Sequence, residues 1–405
     1  MELRVRVGEF RVEPHIREAL IRVLDSGRIS EGSETREFES SFSKYIGTKH
    51  AVAVNSGTSA LVSTLLALKS RMGALGRAPV VMTSPLTYVA TVNSIVLTGM
   101  EPVFVDVDPD RFCVDPDLAE EALERRDSRA VEALLPVHLM GYVCDMDRLN
   151  RAASKRGLIV LEDSSQAHGS VYKGRRAGSM SDASTFSFYI AHNIQAGELG
   201  AVLTDDPGLA RKVRKIKANG RMCDCLICTR PQGKCPKFRK GKDDWDPRFI
   251  HDMIGYNFKT MEFPTAIAAA QIAKADEIAK KRRKNVKMLN DLLSVHADIL
   301  RLPVYSNNVS YLGHPLVIRD PKKLHREKLQ LSLESNGVET RPLFGCIPIH
   351  QPAFAHLREQ YKGKLPNAEY LGANGFYIGC HQYLNEDDLH FVKEAFDKSL
   401  RETVK

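Results

Sequence analysis

The chain has 405 residues, 43% of them hydrophobic, enough to bury a large core and build one large domain with a smaller one beside it. No apolar run approaches the roughly 18–20 residues needed to span a bilayer, and Met1-Glu-Leu-Arg-Val-Arg-Val7 alternates charge without a signal-peptide core, so the expectation is a cytoplasmic protein with no membrane role. The formal net charge of +8 suits an anionic substrate or an acidic partner; the basic residues are spread along helical stretches, with one dense run at Lys234–Lys242, which argues against nucleic acid.

Residues 1–50 read as a leading arm and a first helix, with apolar residues at helical spacing from His15 to Leu24 and a stop at Ser26-Gly-Arg-Ile-Ser30. Ala51–Val54 is a short buried strand that runs into Asn55-Ser-Gly-Thr58 and the apolar helix Ser59–Leu68. Such a turn is an ordinary strand-to-helix connection or an anion site, because free N–H groups and the helix dipole point outward together. Pro79–Met82 is a second strand, followed by Thr83-Ser-Pro-Leu-Thr-Tyr88 and a helix through Leu97. Pro102–Asp106 and Ala133–His138 are further strands around a helix at Asp117–Arg125. Helix Met146–Arg156 precedes Leu158-Ile-Val-Leu-Glu-Asp163, an apolar run ending in paired acids, as a parallel strand delivers a carboxylate to a site.

Ser184–Val202 reads as a buried strand, a tight polar loop and a returning strand, with Ser187 and His192 at the turn. Strands alternating with helices over 50–205 predict an α/β fold with a mostly parallel sheet covered on both faces. Ligands then lie at the carboxyl ends of the strands, where Asn55, Tyr88, Asp163 and Ser187 all fall. A basic helix over 206–222 leads to a loop, to about Pro247, that holds Cys223, Cys225, Cys228 and Cys235. Uneven cysteine spacing in a large chain favours metal or redox work over disulfides. A long Ala-rich helix is expected from Pro264 to about Leu293, and a strand at Leu312–Val317 with helices at Pro321–Asn336 and Glu386–Leu400 makes a smaller α+β domain. The expected division is 1–275, including the cysteine loop 220–247, and 276–405.

Taken in order, Asn55-Ser-Gly-Thr58, Thr87-Tyr88, Glu162-Asp163-Ser-Ser-Gln166-Ala-His-Gly169, Lys173-Gly-Arg-Arg-Ala-Gly178, Phe186-Ser187-Phe188 and Gly255-Tyr-Asn257 resemble the sugar aminotransferase family of pyridoxal-phosphate enzymes (the DegT/DnrJ/StrS type). The resemblance covers nearly the whole chain and implies the aspartate aminotransferase fold (fold type I). It implies that Asp163 pairs with the cofactor's pyridinium nitrogen, Tyr88 stacks on its ring and Gln166 lies by its phenolic oxygen. Gly57, Thr58 and Ser187 would hold the phosphate, and Asn257 would reach the phosphate of a neighbouring subunit, which implies a homodimer.

One position departs from the family. Aminotransferases carry lysine in the loop after Ser-Phe, and here that position is His192, in Tyr-Ile-Ala-His-Asn. Histidine moves a proton near neutral pH and forms no Schiff base, so the implied cofactor is non-covalent pyridoxamine phosphate. Two branches of the family share this exchange, and both remove the 3-hydroxyl of a nucleotide-linked 4-keto-6-deoxyhexose. One resembles the cluster-free dehydratase of colitose biosynthesis, regenerated by glutamate. The other resembles the CDP-4-keto-6-deoxyglucose 3-dehydrase, which adds an iron–sulfur cluster fed by an electron-donating reductase.

Gly220-Arg-Met-Cys223-Asp-Cys225-Leu-Ile-Cys228 and Gly233-Lys-Cys235-Pro-Lys-Phe238 resemble the cluster loop of the second branch. Four thiolates form a ligand set for a two-iron or four-iron cluster, and zinc takes the same set. The chain departs from the dehydrase pattern in carrying Ser165 where an upstream ligand is implied, with Cys228 standing in from within the loop. Cys113, Cys144, Cys346 and Cys380 are expected to be packed thiols. Rival readings are an ordinary transaminase, the cluster-free dehydratase and a zinc-stabilised scaffold without chemistry. Arg341 and His350 fall where relatives bring C-terminal residues to the site, with surface or packing roles equally open.

Overall fold

The computed structural model describes residues 3–73, 76–125, 131–223, 225, 227–232, 234–235, 246 and 248–404. Chain order begins α1 (Pro14–Ser26), α2 (Ser33–Ile46), β1 (His50–Val54), α3 (Gly57–Lys69), β2 (Val80–Thr83), α4 (Val89–Leu97) and β3 (Glu101–Phe104). It continues with α5 (Pro116–Glu124), β4 (Val131–Leu135), α6 (Met146–Ser154), β5 (Ile159–Asp163), the small hairpin β6 (Val171–Tyr172) and β7 (Arg175–Arg176), β8 (Ala183–Ser187), β9 (Gly200–Thr204) and α7 (Pro207–Lys217). The remainder is α8 (Glu262–Ile272), α9 (Ala275–Leu293), β10 (Leu300–Arg301), β11 (His314–Ile318), α10 (Arg326–Ser335), β12 (Thr340–Pro342), α11 (Arg358–Tyr361), α12 (Pro366–Asn374), β13 (Gly375–Ile378) and α13 (Glu386–Thr403).

The apolar runs form one seven-stranded sheet in the order β1-β9-β8-β5-β4-β2-β3. Pairs β5/β8, β4/β5, β2/β4 and β2/β3 are parallel, and only β9 runs against its neighbours, because the loop after β8 doubles straight back. Strands such as β2 and β9 are buried along their whole length, as a sheet covered by helices on both faces requires. The carboxyl ends of β1, β5 and β8 therefore open on the same edge. A smaller antiparallel sheet, β10-β11-β13-β12, lies in the C-terminal part. The chain's first residues strap onto that part: Val5 bridges Val338, and Arg4 N–H donates to the Gly337 carbonyl at 2.9 Å.

Several expected boundaries differ, each for a tertiary reason. Residues 1–50 hold a second helix, α2, whose Phe38, Phe42 and Ile46 bury one face. Its Gly32 N-cap offers no side chain; the Glu262 carboxylate caps it instead, accepting from the Gly32, Glu34 and Thr35 N–H groups at 2.7–2.9 Å. The long Ala-rich helix is two helices, α8 and α9, broken at Ala273–Lys274, where the Lys274 ammonium turns to Glu13 at 3.1 Å. The helix expected over 206–222 stops at Lys217, since Tyr256 N–H takes the Ile216 carbonyl at 2.7 Å and Asn219 turns left-handed at φ 61°. The helix expected from Pro321 begins at Arg326, after a turn in which Lys323 and Leu324 N–H groups donate to the Asp320 carbonyl at 3.1 Å. Among the described residues no helix is long and apolar enough to cross a membrane.

Candidate active site

Where β1 ends, Asn55-Ser56-Gly57-Thr58 turns into α3, whose N-cap Ser56 accepts from the Ser59 N–H at 3.1 Å. Ser59 Oγ in turn donates to Asn55 Oδ1 at 2.6 Å. A Cβ on Gly57 would lie 2.5 Å from Ser187 Cβ, so only glycine lets the α3 N-terminus meet the end of β8. A Cβ on Gly200, beside it, would lie 2.1 Å from the Ser56 carbonyl oxygen. Unpaired N–H groups at this helix start, beside the hydroxyls of Thr58 and Ser187, form an anion cradle.

Asp163 ends β5 in a buried position. Its Oδ2 accepts from Thr91 Oγ at 2.8 Å, and its Oδ1 accepts from Ser165 Oγ at 2.7 Å and from the Ser165 N–H at 3.2 Å. Thr91 is itself steadied by the Thr87 hydroxyl at 2.8 Å, one helical turn away. Ser165, the residue at the missing upstream ligand position, is thus a cavity-wall partner of Asp163. Strand alternation sends the neighbouring Glu162 to the opposite face. There its carboxylate is fully buried and accepts from His138 Nε2 (2.9 Å), Gly178 N–H (2.9 Å), Met180 N–H (2.8 Å) and Ser181 Oγ (2.7 Å). Burial pushes that carboxyl up, but His138 and the other donors outweigh it and hold it below the usual carboxylate range. Gln166 accepts through Oε1 from the Met140 N–H at 2.9 Å.

His192 sits in the loop between β8 and β9. Its Nδ1 lies 2.7 Å from the Ser187 carbonyl, which can only accept, so Nδ1 carries the proton and Nε2 keeps the lone pair. Burial, opposed by that hydrogen bond and reinforced by the nearby Arg282 cation, pushes the imidazole pKa down to about 4. The ring is half-buried on the cavity wall, neutral at physiological pH and equipped with a free basic nitrogen.

Gly57, Thr58, Tyr88 and Ser187 line one cavity of about 620 Å³ together with Asp163, Gln166 and His192. Tyr88 is 59% exposed and meets Phe344 edge-on, ring centroids 6.0 Å apart. Arg341 also lines the cavity, paired with Glu339 at 3.0 Å. His350 does not; its Nδ1 accepts the Cys346 N–H at 3.1 Å and closes a turn. Sequence reasoning missed Thr91, Tyr189, Glu198, Phe344, Gln351 and Tyr377, which complete the wall. Thr91 could have been found, since it lies one helical turn beyond Thr87 in α4. Asn257 lies away from the cavity in this chain, exposed, its Oδ1 accepting from Lys259 Nζ at 2.6 Å.

The thiols are a different matter. Cys225 and Cys228 are exposed, Cys223 and Cys235 half-buried, and none is in a disulfide. Among the described residues no three His, Cys, Asp or Glu side chains stand together as a metal ion's ligands. Thiolates repel one another, and such a set closes only around the metal that neutralises it. Much of the loop between them (224, 226, 233, 236–245 and 247) lies outside the described residues. The other cysteines, Cys113, Cys144, Cys346 and Cys380, are buried as packed thiols.

The family model of the DegT/DnrJ/EryC1/StrS aminotransferase family matches residues 11–397. The chain belongs to that family. It is 31% identical over 407 residues to a GDP-perosamine synthase of Caulobacter vibrioides, covering 98% of each chain. It is equally 31% identical over 392 residues to a dTDP-4-dehydro-2,6-dideoxy-D-glucose 3-dehydratase of Saccharopolyspora spinosa, covering 94% of this chain and 83% of that one. Among solved structures it matches an E. coli GDP-4-keto-6-deoxy-D-mannose-3-dehydratase with bound hydrated pyridoxal phosphate, with a TM-score of 0.83, 25% identity and coverage of 98% and 100%. The protein is therefore a sugar-modifying pyridoxal-phosphate enzyme of fold type I. Equal identity to a synthase and a dehydratase leaves the reaction to the site residues. Those residues suit the cofactor: the cradle at Gly57 is closed to any Cβ and open to an anion, and a buried carboxylate ends the central strand.

Proposed function

We propose that this enzyme is a pyridoxamine-phosphate-dependent 3-dehydrase acting on a nucleotide-linked 4-keto-6-deoxyhexose. The observation that carries this is His192, a neutral imidazole with a free Nε2 on the cavity wall, where the family's aminotransferases place lysine. The 3-dehydratases among its relatives support it. Bound pyridoxamine phosphate supplies the amine that condenses with the C4 ketone and a ring that stores an electron pair.

The chain's own residues do the rest. Gly57, Thr58 and Ser187 hold the phosphate in the cradle at the α3 N-terminus. Asp163, oriented by the hydroxyls of Thr91 and Ser165, would pair with the ring nitrogen. Tyr88 and Gln166, both on the cavity wall, would meet the ring face and the phenolic oxygen. His192 Nε2, its orientation fixed by the Nδ1–H bond to the Ser187 carbonyl, would accept the proton released at the amine-bearing carbon. Residues 1–275 form the cofactor-binding domain and 276–405 the smaller one. Two copies pair so that Asn257 and Lys259, exposed or half-exposed here, reach the neighbouring cavity.

What favours an iron–sulfur cluster and a reductase is the loop's sequence alone. A second reading, the cluster-free dehydratase regenerated by glutamate, is supported by the likeness to a GDP-4-keto-6-deoxymannose-3-dehydratase with a trapped PLP-glutamate geminal diamine. Two measurements separate these. Iron and acid-labile sulfide in matching amounts, lost in Cys223→Ser protein, support the cluster; glutamate-dependent turnover of metal-free protein supports its rival. For His192, the test is deuterium exchange at the cofactor's amine-bearing carbon. His192→Asn should lose it by roughly 10²–10⁴-fold with cofactor affinity little changed, and full retained exchange would remove the histidine from this role.

A further inference from the structure

Arg282, on α9, is among the largest fully buried side chains of the molecule, with no exposed surface. A guanidinium stays charged in any folded protein, and burying it without an anion is costly. Yet its partners among the described residues are backbone carbonyls and the Cys380 thiol, none of them a carboxylate. Nη1 donates to the Tyr311 and Leu312 carbonyls at 3.2 and 2.9 Å, and Nη2 faces the His192 carbonyl at a long 3.5 Å. Leu312 lines the cavity, as His192 does. One side chain thus joins two parts of the cavity wall, one from the β8–β9 loop and one from the C-terminal part.

A second buried group belongs to the same nest. His168 is 2% exposed and is packed among Phe42, Phe186 and Phe188, its ring centroid 6.1 Å from that of His192. Neither of its ring nitrogens has a partner among the described residues. Among the described residues no carboxylate is hydrogen-bonded to either ring or to the guanidinium, so a proton on either ring would sit unpaired beside a buried cation.

We propose that Arg282 is the positioning residue of this site, tying the His192 backbone to Tyr311–Leu312 and setting a fully buried positive charge behind the His192 loop. The pull of Arg282 acts downward on both rings, beneath the larger effect of burial. Tyr189 faces His192 from its own loop at 6.2 Å between ring centroids. Across the cavity stand Asp163, Glu198, Arg341, Tyr88 and Tyr377. Because those groups are unaltered in an Arg282 variant, a change in the titration of His192 isolates the guanidinium.

The inference rests on His192 as the proton acceptor, and its test needs no cofactor. Cofactor-free protein labelled at histidine Cε1 is titrated by NMR, the His192 signal being assigned by its loss in His192→Asn. In wild type and Arg282→Lys the ring should stay neutral down to about pH 5, since burial and the cation hold it near about 4. In Arg282→Met the midpoint should rise by about one pH unit or more. Arg282→Gln, which keeps amide donors for the carbonyls without the charge, is titrated alongside and takes the place of the Met variant if that does not fold. A midpoint in the neutral variants equal to wild type would overturn the proposal. If instead the midpoint rises while His192→Asn retains full deuterium exchange, Arg282 keeps its electrostatic role and the catalytic reading of His192 falls.

Discussion

The cavity at the strand ends and the cysteine loop are built on opposite principles. Around Asp163 and His192 nearly every polar atom is already held: Thr91 and Ser165 on the carboxylate, Ser187 on the imidazole, Met140 on Gln166. Around Cys223, Cys225, Cys228 and Cys235 no disulfide joins the thiols and no three potential ligands meet among the described residues. A site made by backbone topology exists before its ligand binds, because the sheet and helix starts that form it are paid for by the core. A site made of like-charged ligands on a loop waits for the ion. The difference separates the part of the chemistry that folding prepares from the part that metal loading would have to complete.

Removing a support of the prepared site should have the largest effect. Glu162→Ala leaves His138 and the buried N–H groups of Gly178 and Met180 without their acceptor, and unfolding free energy should fall by about 3–5 kcal/mol, measured by urea denaturation. Gly57→Ala forces Cβ to within 2.5 Å of Ser187 Cβ, so about 1–3 kcal/mol and much of the cofactor affinity should go. Restoration of the stability by adding Ser187→Gly would show that the close approach, and not helix propensity, sets that cost.

Acid should weaken the fold by a smaller, graded amount. Burial holds His314 at about 3 and His381 at about 4, below the ordinary value near 6.5 that the unfolded chain regains. Between those values only the unfolded state takes up protons, so their stabilising contribution is complete above about pH 6.5 and declines as pH falls towards the folded values. Each ring should remove about 1.4 kcal/mol per pH unit over that window, seen as a falling denaturation midpoint from pH 6.5 to 5. The smallest effect belongs to the loop: Cys225→Ser, at an exposed thiol, should change metal-free stability by no more than about 0.5 kcal/mol. A larger loss would mean that the loop is part of the folded frame after all.

Much of the architecture was legible because it follows from local rules. Apolar runs ending in Asp163 and Ser187, and small residues opening α3, announce a parallel sheet with ligands at its carboxyl edge, since strand period and helix ends are properties of a few adjacent residues. The resemblance added the identity of the ligand. What stayed hidden depends on partners far along the chain. Glu262 caps α2 from a distant helix, Tyr256 ends α7, and Phe344, Gln351 and Tyr377 close the cavity from the C-terminal part.

His192 shows the boundary between the two. Its place in the loop, and its difference from the family's lysine, are written in the sequence. Its protonation, its free Nε2 and the buried cation beneath it come from Ser187, Arg282 and the surrounding burial, because a pKa is set by everything within a few ångströms and not by neighbours in the chain. The sequence by itself determined which groups could do chemistry here and at which strand ends they stand. Only the tertiary structure decided their charge states and their partners, since charge, desolvation and contact are properties of space.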